Sequence, residues 1–365
     1  MALVPPYIAA LRPYEAGRSI DEVRQQFGLT RVAKLGSNEN PLGASPLAIA
    51  AAARALASGL SRYGDGGLAL RISLAERFGT HPRNVIAASG SESLLSSIVR
   101  TFVGDDDEVL TTEAAFIGFQ VMARSRGVAY REVPYRDYHY DLAALADAIT
   151  ARTKIIYLAN PNNPTGTIFT RNEFDAFYAR VPERVLIILD EAYFEYAQNE
   201  PAYPDSLRYR YDNVITLRTF SKAYGLAGIR VGYGLAHEEL ITQLLKIKLP
   251  FEPAALAQAA AIAALDDHEF LEQTLALNAR SRRMLNDGLH ELGYCPPPSH
   301  ANFVMVPHAP PTLAQQLLEQ GVIIRPLAAF GLPRAIRIST GTIEETDLCL
   351  GAIARATKEE PVCQS

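Results

Sequence analysis

Little in this chain would tie it to a metal, a nucleic acid or a membrane. Its 365 residues include three cysteines, Cys295, Cys349 and Cys363, which are far apart and odd in number. Neither a disulfide framework nor a cysteine-based metal site is expected from that spacing, and a reducing cytosol is the simplest home. No Lys/Arg block occurs, and the formal net charge is −5, so nothing draws the chain to nucleic acid as a whole and an anionic ligand would need local arginines. Long apolar runs are missing too. The longest helical one, Ala254 to Leu265, is broken by Gln258 and falls short of the ~20 residues a bilayer requires. Met1 to Tyr14 holds Pro5 and Pro6 and no basic residue before Arg12, which fits a secretory signal poorly. No Gly-x4-Gly-Lys-Ser/Thr loop is present and no Gly-x-Gly-x-x-Gly follows an early strand, so Walker-type and nicotinamide-dinucleotide sites lack their phosphate loops.

What remains is an ordinary globular composition, with 48% hydrophobic and 21% charged residues. The length exceeds what one core organises, so a large domain and a smaller one, with a cleft between them, are expected. From about Asn84 to Leu235, short Val/Ile-rich runs alternate with helical patterns. That is how βαβ units and a mostly parallel sheet read, and the fold class is α/β. Strands are predicted at Val85 to Ala88, Glu108 to Thr111, Lys154 to Leu158, Val185 to Leu189, Val214 to Leu217 and Val231 to Leu235; they lack polar alternation, as buried parallel strands do. After Pro250 the texture changes to long helices, Ala254 to Leu265 and Glu269 to Leu292. Short strand-like segments follow at Asn302 to Val306, Val322 to Ile324 and Ala335 to Ser339, with a closing helix from Glu344 to about Lys358. The predicted division is a large domain over 42–250 and a smaller α+β unit made of 251–365 with an N-terminal arm, 1–41.

Three segments carry chemistry. Thr219 to Arg230 reads Thr-Phe-Ser-Lys-Ala-Tyr-Gly-Leu-Ala-Gly-Ile-Arg directly after a predicted strand, the end at which α/β sheets bind ligands. Thr219, Ser221 and Arg230 suit an anion held beside a reactive amine, Lys222; the plain alternative is a surface loop with an ordinary lysine. Val185 to Tyr193 is an apolar strand ending in Asp190-Glu191 and then Tyr193. A carboxylate there is costly without a partner. A pyridine nitrogen would supply one, and Asp-Glu after a strand would equally suit a magnesium ligand. Ala159 to Thr167, Ala-Asn-Pro-Asn-Asn-Pro-Thr-Gly-Thr, has the residues of a turn, but its place between the other two directs an Asn side chain to the same site.

Together these segments resemble the fold-type I pyridoxal 5'-phosphate (PLP) aminotransferases, and among them the histidinol-phosphate aminotransferase family, over nearly the whole chain. The resemblance implies a large PLP-binding domain with a seven-stranded type of sheet flanked by helices. It makes Lys222 the Schiff-base lysine and general base, with a pKa lowered by Arg230 and partial burial. Asp190 pairs with the pyridine nitrogen, Tyr193 and Asn163 bind the ring hydroxyl, and Thr219, Ser221 and Arg230 hold the phosphate. Gly90-Ser91-Glu92-Ser93 would add backbone amides at a helix N-terminus, where anions are favoured. Phe116 falls where the family places a ring over the pyridine, though from the residues alone a core phenylalanine is as good a reading. Tyr63 resembles the tyrosine donated across a homodimer to the neighbouring phosphate.

For substrate, the resemblance implies Arg337 and Arg325, whose forked guanidiniums suit carboxylate and phosphate, and Tyr14 and Asn40 in N-terminal segments that close over it. The implied reaction moves the amino group of L-histidinol phosphate to 2-oxoglutarate. Arg325 is followed by Pro-Leu-Ala-Ala-Phe-Gly, where many family members carry an acidic residue. An aromatic aminotransferase or a PLP decarboxylase on the same frame is therefore kept as the alternative. A PLP-sensing regulatory module is the non-enzyme alternative, disfavoured because no room for a DNA-binding domain precedes Ser37.

Overall fold

The structure is a computed structural model that describes residues 3–11, 17–59, 61–208 and 212–359. Twelve strands form among these residues. A short β1 (Ala33–Lys34) comes first, followed by β2 (Val85–Ala88), β3 (Glu108–Thr112), β4 (Ala129–Val133), β5 (Thr153–Ala159), β6 (Leu186–Asp190), β7 (Val214–Thr219) and β8 (Gly232–Leu235). Beyond them lie β9 (Phe303–Val306), β10 (Val322–Ile323), β11 (Arg325–Pro326) and β12 (Ile336–Ser339).

Strands β2 to β8 make one seven-stranded sheet in the order β2-β8-β7-β6-β5-β3-β4. All its pairings are parallel except those of β8, which runs against both β2 and β7. The central strands are buried along their whole length, so their aliphatic runs reflect apolar layers on both faces. Ile155, Tyr157, Ile188 and Ile215 face one core, shared with the helix Ser91–Phe102, while Ile156, Leu158 and Ile187 face a second core with Phe174 and Phe177. The helix Arg171–Tyr178 that carries those rings starts at a capping box in which Thr170 and Glu173 satisfy each other's backbone amides.

β9, β11 and β12 form an antiparallel sheet in the order β11-β12-β9, packed with the 24-residue helix His268–Glu291 and the helix Ile343–Glu359 on a separate apolar core. β1 pairs in parallel with β10, Ala33 opposite Val322, so the N-terminal segment joins this second sheet region and then passes into the first.

Candidate active site

Parallel pairing sets the ends of β5, β6 and β7 side by side, with Ala159 opposite Asp190 and Asp190 opposite Leu217. The three motif segments therefore meet at one edge of the sheet. Gly232 on β8 is in register with both Thr219 of β7 and Ala88 of β2, which brings the Gly90–Ser91 turn beside Thr219. A Cβ on Gly232 would come within 2.6 Å of the Ser91 amide nitrogen, and one on Gly90 within 2.9 Å of Arg230 Nη2. Glycine at both positions is what allows the helix N-terminus and the guanidinium to close on the strand ends. There, Thr219 Oγ1 donates to Ser221 Oγ (3.0 Å), the Ser221 N–H donates to Thr219 Oγ1 (3.2 Å) and Arg230 Nη1 donates to Ser221 Oγ (3.3 Å). Arg230 adopts φ 55, a conformation that non-glycine residues take at a cost. Its Nη2 also lies 3.4 Å from Glu92 Oε2, so Glu92 brings a carboxylate to this corner.

Asp190 is 5% exposed. Tyr157 Oη donates to its Oδ2 at 2.7 Å and the Ala192 N–H to its Oδ1 at 3.2 Å. Burial pushes its pKa up to about 6 against those two donors, with Glu92 and Glu191 adding to the rise. Lys222, partly buried, donates from Nζ to Ser37 O at 3.4 Å and stands 5.8 Å from the centre of the Tyr193 ring. Its pKa is lowered to about 8, first by desolvation and then by Arg337, while Arg230 contributes less. The sequence had pointed to Arg230 as the cation responsible; the structure assigns the larger part to Arg337.

Arg337 is buried on β12, with Nη1 donating to Asn163 Oδ1 at 2.5 Å and Nη2 to Gly36 O at 2.9 Å. Arg325 lies directly opposite it on β11. Tyr193 is buried, and its hydroxyl accepts from Asn38 Nδ2 at 2.8 Å. Its pKa is raised, chiefly by burial, with Arg337 and Asn38 opposing. Phe116 caps the helix Ile117–Ser125 and lies against the same glycine as Glu92: a Cβ on Gly118 would meet the Phe116 ring at 2.5 Å and Glu92 Oε1 at 3.1 Å.

The remaining expected residues stand apart. Asn40 is buried, but its amide donates to Ala223 O (2.9 Å) and Thr274 Oγ1 (3.0 Å) and accepts from the Leu42 N–H (3.0 Å); it steadies the Lys222 loop, and its neighbour Asn38 is the one that meets Tyr193. Tyr63 is 82% exposed, stacked on Phe251 with ring centres 4.3 Å apart. Tyr14 lies outside the described residues.

Tyr157, the pairing of Arg218 with Glu191, and Asn38 escaped the sequence reading. Tyr157 was visible as a lone hydroxyl in the aliphatic run Lys154 to Leu158, and a buried tyrosine seeks an acceptor. Arg218 and Glu191 sat as opposite charges at the ends of two apolar runs; they pair at 2.7 Å, each 2% exposed. Asn38 left no signal apart from its place in a polar stretch.

The donor set fits PLP. A buried carboxylate with two neutral donors suits a protonated ring nitrogen as its partner. Two hydroxyls, a guanidinium and a helix N-terminus suit a phosphate, and an amine lowered to about 8 suits a covalent link to an aldehyde.

Comparison with known proteins gives consistent matches. Residues 30–353 match the family described as aminotransferase class I and II. The chain is 44% identical to the histidinol-phosphate aminotransferase of Anaeromyxobacter sp. (strain Fw109-5), over 97% of this chain and 99% of that one. It is 41% identical to histidinol-phosphate aminotransferase 2 of Pseudomonas aeruginosa, over 97% and 98%. Among solved structures, histidinol-phosphate aminotransferase from Sinorhizobium meliloti, in complex with pyridoxal-5'-phosphate, superposes with a TM-score of 0.87 at 33% identity, covering 98% of each chain. An aspartate aminotransferase double mutant from Thermus thermophilus gives 0.86 at 26% identity, over 97% of this chain and all of that one.

Proposed function

The chain belongs to the class I and II aminotransferases, and on that premise we propose that it is a PLP-dependent enzyme that transfers the amino group of L-histidinol phosphate to 2-oxoglutarate. The products are imidazole acetol phosphate and glutamate.

The observation that carries the choice of a phosphorylated donor is the register of Arg325 opposite Arg337. Directly opposed residues of an antiparallel pair share a face, and like charges in that position repel. A phosphate dianion between them offsets that repulsion and accepts from both forks. The similarity to relatives named histidinol-phosphate aminotransferase supports the same reading.

In this assignment Thr219, Ser221, Arg230 and the amides at Gly90 to Glu92 would bind the cofactor phosphate, Asp190 would pair with the ring nitrogen, Asn163 and Tyr193 would bind the ring hydroxyl, and Phe116 would stack on the ring. When bound, PLP supplies an electron sink that acidifies the carbon carrying the substrate amine. Lys222 Nζ takes the proton from that carbon; a pKa near 8 leaves a usable neutral fraction at physiological pH. Asp190, held by Tyr157 and the Ala192 amide, keeps a fixed negative charge at the base of the site.

Residues 42–250 are proposed as the cofactor-binding domain, with 1–41 and 251–365 as the second unit; the pairing of β1 with β10 supports the place of the N-terminal arm, while the helix Ala255–Leu265 packs in one core with Val85, Tyr233 and Leu235 of the seven-stranded sheet and so moves the boundary beyond it. A homodimer with Tyr63 crossing to the neighbouring site is part of the proposal. It is supported by the exposed Tyr63–Phe251 stack and by exposed Leu42, Leu47, Ile49 and Leu56. A cytosolic location agrees with the free Cys295 and Cys349. None of the described helices is long and apolar enough to cross a membrane.

The test is to compare L-histidinol phosphate with L-histidinol. Losing two charge-assisted contacts, worth ~1.5–3 kcal/mol each, should lower kcat/KM by at least a hundredfold for the dephosphorylated donor. Equal turnover of the two would remove the phosphate from the assignment.

A further inference from the structure

Past β1 the chain enters the site along Gly36, Ser37 and Asn38, and each of their carbonyls accepts from a different side chain. Gly36 O accepts from Arg337 Nη2 (2.9 Å), Ser37 O from Lys222 Nζ (3.4 Å) and Asn38 O from Asn302 Nδ2 (3.1 Å). Asn38 is 1% exposed and holds φ 55, a backbone conformation that persists only where its surroundings enforce it.

Its side chain has a determined polarity. Ser339 Oγ, on β12, donates to Asn38 Oδ1 at 2.8 Å and accepts from the Asn38 N–H at 2.9 Å. With Oδ1 engaged by that hydroxyl, Nδ2 is the atom turned to Tyr193 Oη, 2.8 Å away. A phenol that accepts from an amide keeps its own proton for a different acceptor.

We propose that Asn38 is a positioning residue for the cofactor. By donating to the Tyr193 hydroxyl it leaves the tyrosine proton for the ring hydroxyl oxygen of PLP, and Ser339 sets Asn38 in that orientation. The polarity of Tyr193, at the end of the seven-stranded sheet, is thus dictated from the three-stranded sheet, two residues along β12 from Arg337. The inference rests on the reading of the site given above.

The experiment titrates cofactor-free protein with PLP and with the analogue that lacks the ring hydroxyl, in wild type, Asn38→Asp, Tyr193→Phe and the double variant. Aspartate keeps an acceptor for Ser339 but offers only acceptors to Tyr193, so it takes the tyrosine proton. PLP affinity should fall about tenfold, the scale of one hydrogen bond. Affinity for the analogue should be nearly unchanged, and Asn38→Asp should add nothing in the Tyr193→Phe background. Equal weakening for both ligands, or the same loss in the Tyr193→Phe background, would make Asn38 a merely structural residue and overturn the proposal. Asn38→Gly, which accepts the left-handed backbone without strain, repeats the comparison should the aspartate fail to fold; it should also weaken PLP more than the analogue, and equal affinities would overturn the proposal. If Tyr193→Phe leaves PLP affinity untouched, the site assignment itself fails and the proposal with it.

Discussion

Beside Arg337 and the Tyr193 ring, the Lys222 amine sits in surroundings that resist a charge, and its pKa falls from 10.5 to about 8. Between those values the unfolded chain holds more protons than the folded one. The stability contributed by this group therefore rises with pH from about 8 to 10.5, by ~1.4 kcal/mol per unit. Denaturation of the cofactor-free protein across that window should show the rise, and Lys222→Met should flatten it. Lys222→Ala should abolish turnover, and borohydride treatment in the presence of PLP should then add no cofactor mass at this position. Asp190 runs the other way: its folded pKa, about 6, exceeds the ordinary 3.8, so its contribution to stability falls as pH rises through that interval. Tyr157→Phe removes the donor at 2.7 Å and should move the Asp190 titration upward, with kcat down about tenfold for one lost hydrogen bond to a charged group. Infrared titration of the carboxyl in the cofactor-free protein reads the first effect; an unmoved midpoint would release Tyr157 from this role.

At the level of strands, Asp190 and Thr219 owe their placement to what lies next to them in sequence. Glu191, directly after β6, and Arg218, on the adjoining β7, are joined by two hydrogen bonds from Arg218 Nε and Nη2 to Glu191 Oε2. The guanidinium also contacts Asp205 Oδ1 and lies 3.3 Å from the centre of the Phe194 ring. Burial works against the charge on Arg218, yet Glu191, Tyr233 and Asp205 together outweigh it and keep the pKa raised. Arg218→Met should cost ~3–5 kcal/mol by leaving a buried carboxylate exposed to apolar surroundings, and Arg218→Met with Glu191→Gln should cost less than the two single changes added; chemical denaturation measures both. β6 and β7 were legible because both their faces are buried, which fills them largely with aliphatic residues. β4, Ala129–Val133, was not: it sits at the sheet edge, only partly buried, and Ala-Tyr-Arg-Glu-Val has no apolar run to notice. β10 falls within the expected segment Val322 to Ile324, whereas the two-residue strands β1 and β11 are defined by their partners, which no local pattern reports. The same divide separates the site residues. The proposed site residues Lys222, Asp190, Tyr193 and Asn163 lie at or just after strand ends and were readable there, whereas Asn38 is oriented by Ser339, 301 residues away.

For the molecule as a whole, the proposed dimer makes each site a joint product of two chains. Tyr63, exposed on its own subunit, should serve the neighbour. Inactive Lys222→Ala and impaired Tyr63→Ala proteins, mixed and allowed to exchange subunits, should then regain activity, because one site of each mixed dimer has both residues; no recovery would place Tyr63 in its own subunit's site or outside the site altogether. The central claim is the identity of the amino donor. Its most direct test is glutamate formation from 2-oxoglutarate with L-histidinol phosphate, run beside phenylalanine, tyrosine and phosphothreonine. A strong preference for L-histidinol phosphate is expected. Preference for an aromatic donor, or carbon dioxide released without glutamate, would contradict it and reassign Arg325 and Arg337.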